Sequence, residues 1–166
     1  MNAVSLNIYS FLMKENIEFI RYCHKAYKSR EKWIDIIKKW NNEIIIPDIN
    51  YYYNTQKNTY AIYISKQINT DAFFRNASIH IYKPIDDKNE QTKLAEILKC
   101  SDKEISPLAL ISDEQKKCCI YTDNETFLGN DMLCFSPCSN TSSVILSTSD
   151  FFNVFLIKSK HSIKLI

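Results

Sequence analysis

A single glycine, Gly129, stands in a chain of 166 residues. Glycine enters left-handed backbone at no steric cost, so tight turns usually draw on it. Here almost every reversal has to be made by Asn, Asp, Ser or Pro, which tolerate turn geometry less freely. The same shortage removes whole classes of chemistry. Loops that cradle phosphates through closely approaching backbone need several glycines, and so does the strained elbow that presents a serine nucleophile. His24, His80 and His161 are the only histidines, and none has a nucleophile-elbow context.

The apolar spacing gives one α/β domain over residues 1–166, with a mixed, mostly antiparallel sheet and flanking helices. Val4, Ile8, Phe11 and Leu12 predict an amphipathic helix over 3–15, followed by a short strand at Ile17–Tyr22. Ser29 is placed to cap a second helix carrying Trp33, Ile36, Ile37 and Trp40 on one face. Asn50–Tyr53 and Tyr60–Ser65 read as a β-hairpin around a polar turn. In that hairpin Tyr51, Tyr52 and Tyr53 are read as half-buried strand surface, with base stacking as the other use of such a run. A helical turn at Asp71–Phe74 and a strand at Ile79–Tyr82, with His80 a structural histidine in it, come next. Asp86–Glu90 reads as an exposed loop and Gln91–Lys99 as a helix. Leu108–Ile111 and Cys118–Tyr121 are expected strands joined by a charged turn. Met132–Phe135 and Ser143–Leu146 are two more, and Ser147 opens a capped helix containing Phe151, Phe152 and Phe155.

A hydrophobic share of 45% and a charged share of 24% are ordinary for a globular protein, and a net charge of +2 forces no nucleic-acid reading by itself. No apolar run approaches the roughly twenty residues of a membrane span, and the first residues make a poor signal peptide. A cytoplasmic location and free thiols for the six cysteines are therefore expected. Cys118-Cys119 and Cys134-x-x-x-Cys138 supply four sulfurs, but adjacent strand residues point to opposite faces, so buried thiols are expected over zinc. No metal or cofactor is expected. What remains is a pair of polar loops, Ser106-Pro107 and Ser136-Pro137-Cys138-Ser139-Asn140-Thr141, whose backbone and hydroxyl groups could hold an ester carbonyl or orient a water. Turns and caps are the plainer use of the same residues.

The order of these motifs resembles the YbaK/ProX-type aminoacyl-tRNA deacylases. LAEILKCSDKEISPLALISDEQKKCCIYTD is similar to that family's helix, Gly-x-x-x-Pro loop and strand, and FSPCSNTSSVILSTSDFFNVFL to its Phe-His-Pro-x-x-Asn-Thr loop, strand and helix start. IEFIRYCHKAYKSREKW and INYYYNTQKNTYAIYIS fit the family's His-Pro loop and Lys-Asn-Leu hairpin more loosely. The resemblance implies removal of a small amino acid such as alanine from proline tRNA, without a metal. The implied partners are a tRNA acceptor end and a prolyl-tRNA synthetase, in cis or in trans. It places Asn50 as the orienting asparagine and Ser106, Pro107, Ser136, Pro137, Asn140 and Thr141 around the pocket. Three positions depart from the pattern: Ile49 stands where a lysine is expected, Lys103 where a glycine is, and Ser136 where a histidine is. Ile49 cannot supply the lysine's charge; a shift of alignment would bring Lys57 or Lys66 into reach, with the hairpin turn arguing against Lys57. The alternative is a catalytically inactive module of the same fold that binds tRNA or a synthetase.

Overall fold

The computed structural model describes residues 1–67 and 81–166. The expected turn at Asp71–Phe74, and Ile79 and His80 of the expected strand, lie outside them.

Strand β3 (Tyr60–Ser65) is the centre of the molecule, with all six residues buried. It pairs antiparallel with β2 (Asp48–Asn54), which pairs antiparallel with β4 (Tyr82–Pro84). On its other side β3 pairs in parallel with β5 (Cys118–Thr122), and β5 with β8 (Ile163–Leu165). A second sheet, antiparallel throughout, has the order β1 (Ile20–Cys23), β7 (Ser142–Ser147), β6 (Met132–Phe135). Two sheets, mostly antiparallel, with helices around them, are the α/β architecture that the residue pattern predicts.

Helix α1 (Ala3–Lys14) starts where Asn2 Oδ1 accepts the Ser5 amide at 2.8 Å, and it buries Val4, Ile8 and Leu12. Helix α2 (Arg30–Trp40) is capped by Ser29 as expected, and buries Trp33 and Ile37. Helix α3 (Lys88–Leu98) begins three residues before the expected Gln91, because Asp87 Oδ1 accepts the Glu90 amide at 2.7 Å and caps what was read as loop. A short helix α4 (Asn124–Phe127), capped by Asp123, and strand β8 have no counterpart in the sequence reading.

The largest departure is at 108–111, where a 3-10 helix (Pro107–Ser112) replaces the expected strand. A short apolar run does not reveal its period, and Ser-Pro is a helix-start pair: Ser106 Oγ accepts the Leu108 amide at 3.2 Å while Pro107 occupies the first turn. The charged segment after it therefore links a helix to β5, not two strands. The last helix opens as expected, with Ser147 Oγ accepting the Asp150 amide at 3.0 Å. It then widens into an i→i+5 turn over Asp150–Phe155 before Leu156–Lys158. Phe151 stacks on Phe135 at 4.4 Å and meets Phe152 edge-on at 5.0 Å. Burial of each such ring is worth roughly 1.5–3 kcal/mol.

Scarce glycine is met in an unexpected way. Asn16, Lys99, Lys116, Cys138 and Lys160 take φ between 53° and 62°, whereas Gly129 does not have positive φ. Lysine and cysteine thus do left-handed work that the sequence reading assigned to Asn, Asp, Ser and Pro. At Gly129 the constraint is space and not φ: a Cβ there would come within 2.5 Å of Asp131 Oδ2, so that side chain, which pairs with Lys66 Nζ at 3.2 Å, would have to shift.

Asp113 and His161 tie the C-terminal strand to the rest. Both side chains are buried, with His161 Nε2 3.0 Å from Asp113 Oδ2. The carboxylate also accepts the Lys117 and Cys118 amides at 2.9 Å each. Burial alone would raise the Asp113 carboxyl, but the hydrogen bonds from His161 and these two amides outweigh it and hold it below the ordinary value.

Two stability measurements follow from these features. Lys99→Gly, which relieves left-handed strain at the end of α3, is expected to stabilise the protein by about 0.5–1 kcal/mol in urea unfolding; a loss of stability would contradict the strain. Asp113→Asn is expected to cost about 3 kcal/mol, since it strips a buried charge from its donors. A depressed folded pKa makes the Asp113 contribution complete above about pH 4 and lost as pH falls further. Asp113→Asn should therefore flatten the acid limb of the stability curve.

Candidate functional site

The 136–141 loop, residues 103–105 just before Ser106-Pro107, and the start of β2 line one cleft. Pro137 O accepts Ser5 Oγ at 2.6 Å and Cys138 O accepts Asn2 Nδ2 at 2.8 Å, so the N-terminus of α1 braces the 136–141 loop from below. Inside the loop Ser136 Oγ donates to Ser139 O at 2.9 Å and accepts the Ser139 amide at 3.2 Å. Ser139 Oγ lies 3.0 Å from Thr141 Oγ1. The loop then docks on the segment before α2: Thr141 O accepts the His24 amide at 2.9 Å, and Asn140 Nδ2 donates to Tyr27 O at 3.4 Å.

A cleft of about 450 Å³ opens there, and its walls include Ile49, Lys103, Ser136 and Asn140. All three positions that depart from the family pattern thus meet in one cleft. Tyr27, Lys28, Arg30, Trp33, Asp48 and Tyr51 complete most of its lining. A second depression of about 480 Å³ adjoins it and shares Ile49, Tyr51, Lys103 and Ile105. Asn50 lines this second one and not the first. Its amide donates to Asp48 Oδ2 at 2.9 Å, and Asp48 lines the first cleft, so Asn50 reaches that cleft through its neighbour. Ser106 and Pro107 are buried, and Ser106 Oγ is occupied as the cap of the 3-10 helix. Thr141 is exposed and does not line the cleft.

Local packing fixes the cleft wall. Arg30 donates to Ile46 O and Pro47 O at 3.1 Å each and so pins the entry to β2. Trp33 stacks on Tyr27 at 5.3 Å and donates from Nε1 to Ser143 Oγ at 2.9 Å. His24 Nε2 lies 2.8 Å from the same hydroxyl and His24 Nδ1 2.9 Å from Lys25 O. A carbonyl only accepts, so Nδ1 carries hydrogen, and the Ser143 hydroxyl donates to Nε2 in the neutral ring. Ser143 is fully buried and fully bonded, which rules out a serine–histidine nucleophile at this pair.

Burial pushes up the Tyr27 hydroxyl, an effect that Ser136 partly offsets, and burial also raises the Glu104 carboxyl at the cleft edge. Tyr51 is pushed well above its ordinary value by burial, and its hydroxyl donates to Ile105 O at 3.2 Å. Lys103 has no left-handed φ, so the Cβ it adds in place of glycine causes no backbone strain. Of the alternative cations, Lys66 is taken up by Asp131 at 3.2 Å and Glu125 at 3.8 Å, and Lys57 lines a separate cleft. Neither supplies this site; Lys28, Arg30 and Lys103 do. The sequence marks Ser29 as a cap, yet nothing in it shows that α2 would set Tyr27, Arg30 and Trp33 against Ile49.

The tyrosine run packs as strand surface: Tyr52 is buried with Ala61, Tyr63 and Tyr121, and Tyr51 and Tyr53 rest on the main core. Cys118 and Cys138 belong to the main core, Cys134 to the cluster under α2, and Cys119 to the tyrosine cluster. Among the described residues no three His, Cys, Asp or Glu side chains are grouped to hold a metal ion. Nor is any helix among them long and apolar enough to cross a membrane.

No family model matches the chain, and no curated protein matches it. Solved structures do. A scaffold used for epitope backbone grafting by computational design superposes with a TM-score of 0.64 at 6% identity, covering 100% of this chain and 97% of its own. The crystal structure of hypothetical protein APE2540 gives 0.60 at 6% identity, covering 95% and 97%. A candidate trans-editing enzyme for prolyl tRNA synthetase gives 0.61 at 4% identity, covering 99% and 96%. At such low identity the likeness is one of fold, shared with these structures over nearly the whole chain.

Proposed function

We propose that the chain is an aminoacyl-tRNA editing-type domain that receives the charged acceptor end in the Ser136 cleft and hydrolyses a misattached small amino acid, such as alanine, from proline tRNA. One observation carries the reading: Lys103 lines the same cleft as Ile49, the position at which the resemblance implies a lysine. On this reading the charge has moved across the site and has not been lost. A lysine ammonium near the ester would polarise its carbonyl and offset the terminal phosphate charge. Water attacks the carbonyl carbon, the carbon–oxygen bond to the ribose breaks, and the leaving oxygen takes a proton. The products are free amino acid and uncharged tRNA. Asn50 acts by holding Asp48, while Asn140 and the Ser136 loop shape the pocket, and Ser106-Pro107 fix the backbone that carries Lys103 and Ile105. The partners are the tRNA acceptor end and, in cis or in trans, a prolyl-tRNA synthetase; the expected location is the cytoplasm, and no cofactor enters the scheme.

A second reading, a non-catalytic tRNA- or synthetase-binding module, is favoured by one specific feature. Ser136 Oγ and Asn140 Nδ2 are already committed to Ser139 and to Tyr27 O. Fewer side-chain donors then remain to orient a water.

Deacylation of alanine-charged proline tRNA separates the two. Turnover above buffer is expected, with Lys103→Ala lowering it at least tenfold and Ile49→Lys restoring part of it in the Lys103→Ala background. Turnover indifferent to Lys103→Ala would remove the relocated cation from the account. No turnover, with tRNA still bound, would establish the binding module.

A further inference from the structure

A cleft of about 620 Å³ lies away from the Ser136 site, where the β2–β3 turn meets the ends of β5 and β8. Lys57, Lys116, Lys117, Lys160 and Lys164 line it, and no Asp or Glu is among its described lining residues. The whole chain has 21 Lys and Arg against 19 Asp and Glu, so five lysines without an Asp or Glu side chain in one cleft, with only the main-chain carboxylate of Ile166 at its edge, are a strong local excess among the described residues. Among the described ion pairs none involves any of the five. Lys116 Nζ donates to Ser159 O at 3.0 Å, and Lys164 Nζ sits 5.6 Å above the Tyr121 ring. An ammonium has three donors, so both keep capacity for a ligand. Asp113, next to one wall, is turned inward onto His161 and the Lys117 and Cys118 amides.

From this we infer that the lysine cleft binds the phosphate backbone of a single-stranded nucleic acid, at a site separate from the Ser136 cleft. Its layout fits a strand better than one small anion. The lysines come from three segments, and β8 pairs so that Lys164 lies opposite Tyr121. Lys117 precedes Tyr121 by four residues, so the cations extend over about 13 Å at roughly 3.3 Å per residue. Half-buried Tyr82 lines the cleft beside them and meets the buried Tyr121 edge-on at 6.1 Å. A basic groove that tracks the backbone is what sequence-tolerant strand binding draws on first.

The test is anisotropy of a fluorescein-labelled twelve-nucleotide oligouridine against salt. With three to four phosphates neutralised, the log–log slope is expected near −2 to −3, so affinity should fall about 30-fold between about 50 and 200 mM salt. Lys57→Gln/Lys117→Gln/Lys160→Gln should weaken binding at least tenfold and make the slope shallower by about 2, with thermal melting unchanged. Lys57→Gln/Lys117→Gln, which spares the left-handed position 160, serves if the triple variant melts early, with the slope shallower by about 1.4. Lys14→Gln/Lys39→Gln, exposed and outside both clefts, should leave binding within about twofold. An unchanged slope in the lysine-cleft variants, or loss of binding in the Lys14/Lys39 variant, would overturn the assignment. So would pyrophosphate binding without oligouridine binding. Deacylation does not enter this readout, so the inference stands or falls apart from the editing reading.

Discussion

Everything else in the molecule hangs from the two-sided burial of β3. Tyr60, Ile62 and Ile64 point into the main core, while Ala61 and Tyr63 join Tyr52 and Tyr121 on the opposite face. A strand buried on both faces cannot slip by one residue without exchanging its two side-chain sets, so its register is fixed. That register sets Ile64 beside Ile49 and Tyr60 beside Tyr53 and Cys118. The Ser136 cleft therefore sits at one end of the hairpin and the lysine cleft at the other. Ile49 and Asn54 are separated by five residues, about 17 Å of strand.

Much of this was legible in the residues, for identifiable reasons. The caps at Ser29 and Ser147 use side-chain chemistry that survives folding unchanged, and the β2–β3 hairpin is an alternating pattern around a polar turn. The segment 107–112 was not legible as a helix, because an apolar run of that length carries no period and the Ser-Pro signal is local. Strand β8 is three residues long and owes its place to β5 and to the buried Asp113–His161 pair, which lies 48 positions apart in sequence. Left-handed lysines at 99, 116 and 160 follow from what surrounds them, since lysine has no intrinsic preference for that region.

The candidate site shows the same division. Its loops were readable from Ser136-Pro137 and Ser106-Pro107, but their relation to α2 was not, and neither was the placing of Asn50 and Asn140 in two adjoining depressions. Ile49 and Lys103 are two of the positions that depart from the pattern the resemblance implies. In three dimensions they line one cleft, and the proposed function treats the pair as an exchange of charge between walls. Lysine is suited to such a move, since its flexible stem carries the charge over several ångströms without backbone change.

The central claim is that the Ser136 cleft receives the aminoacylated end of an RNA. Amide chemical-shift mapping with a non-hydrolysable alanyl-adenosine amide tests it most directly. Saturable shifts confined to Ile49, Lys103, Ser136 and Asn140, with Lys117 and Lys164 unmoved, are the predicted result. Shifts centred on the lysine cleft, or none at millimolar ligand, would contradict it.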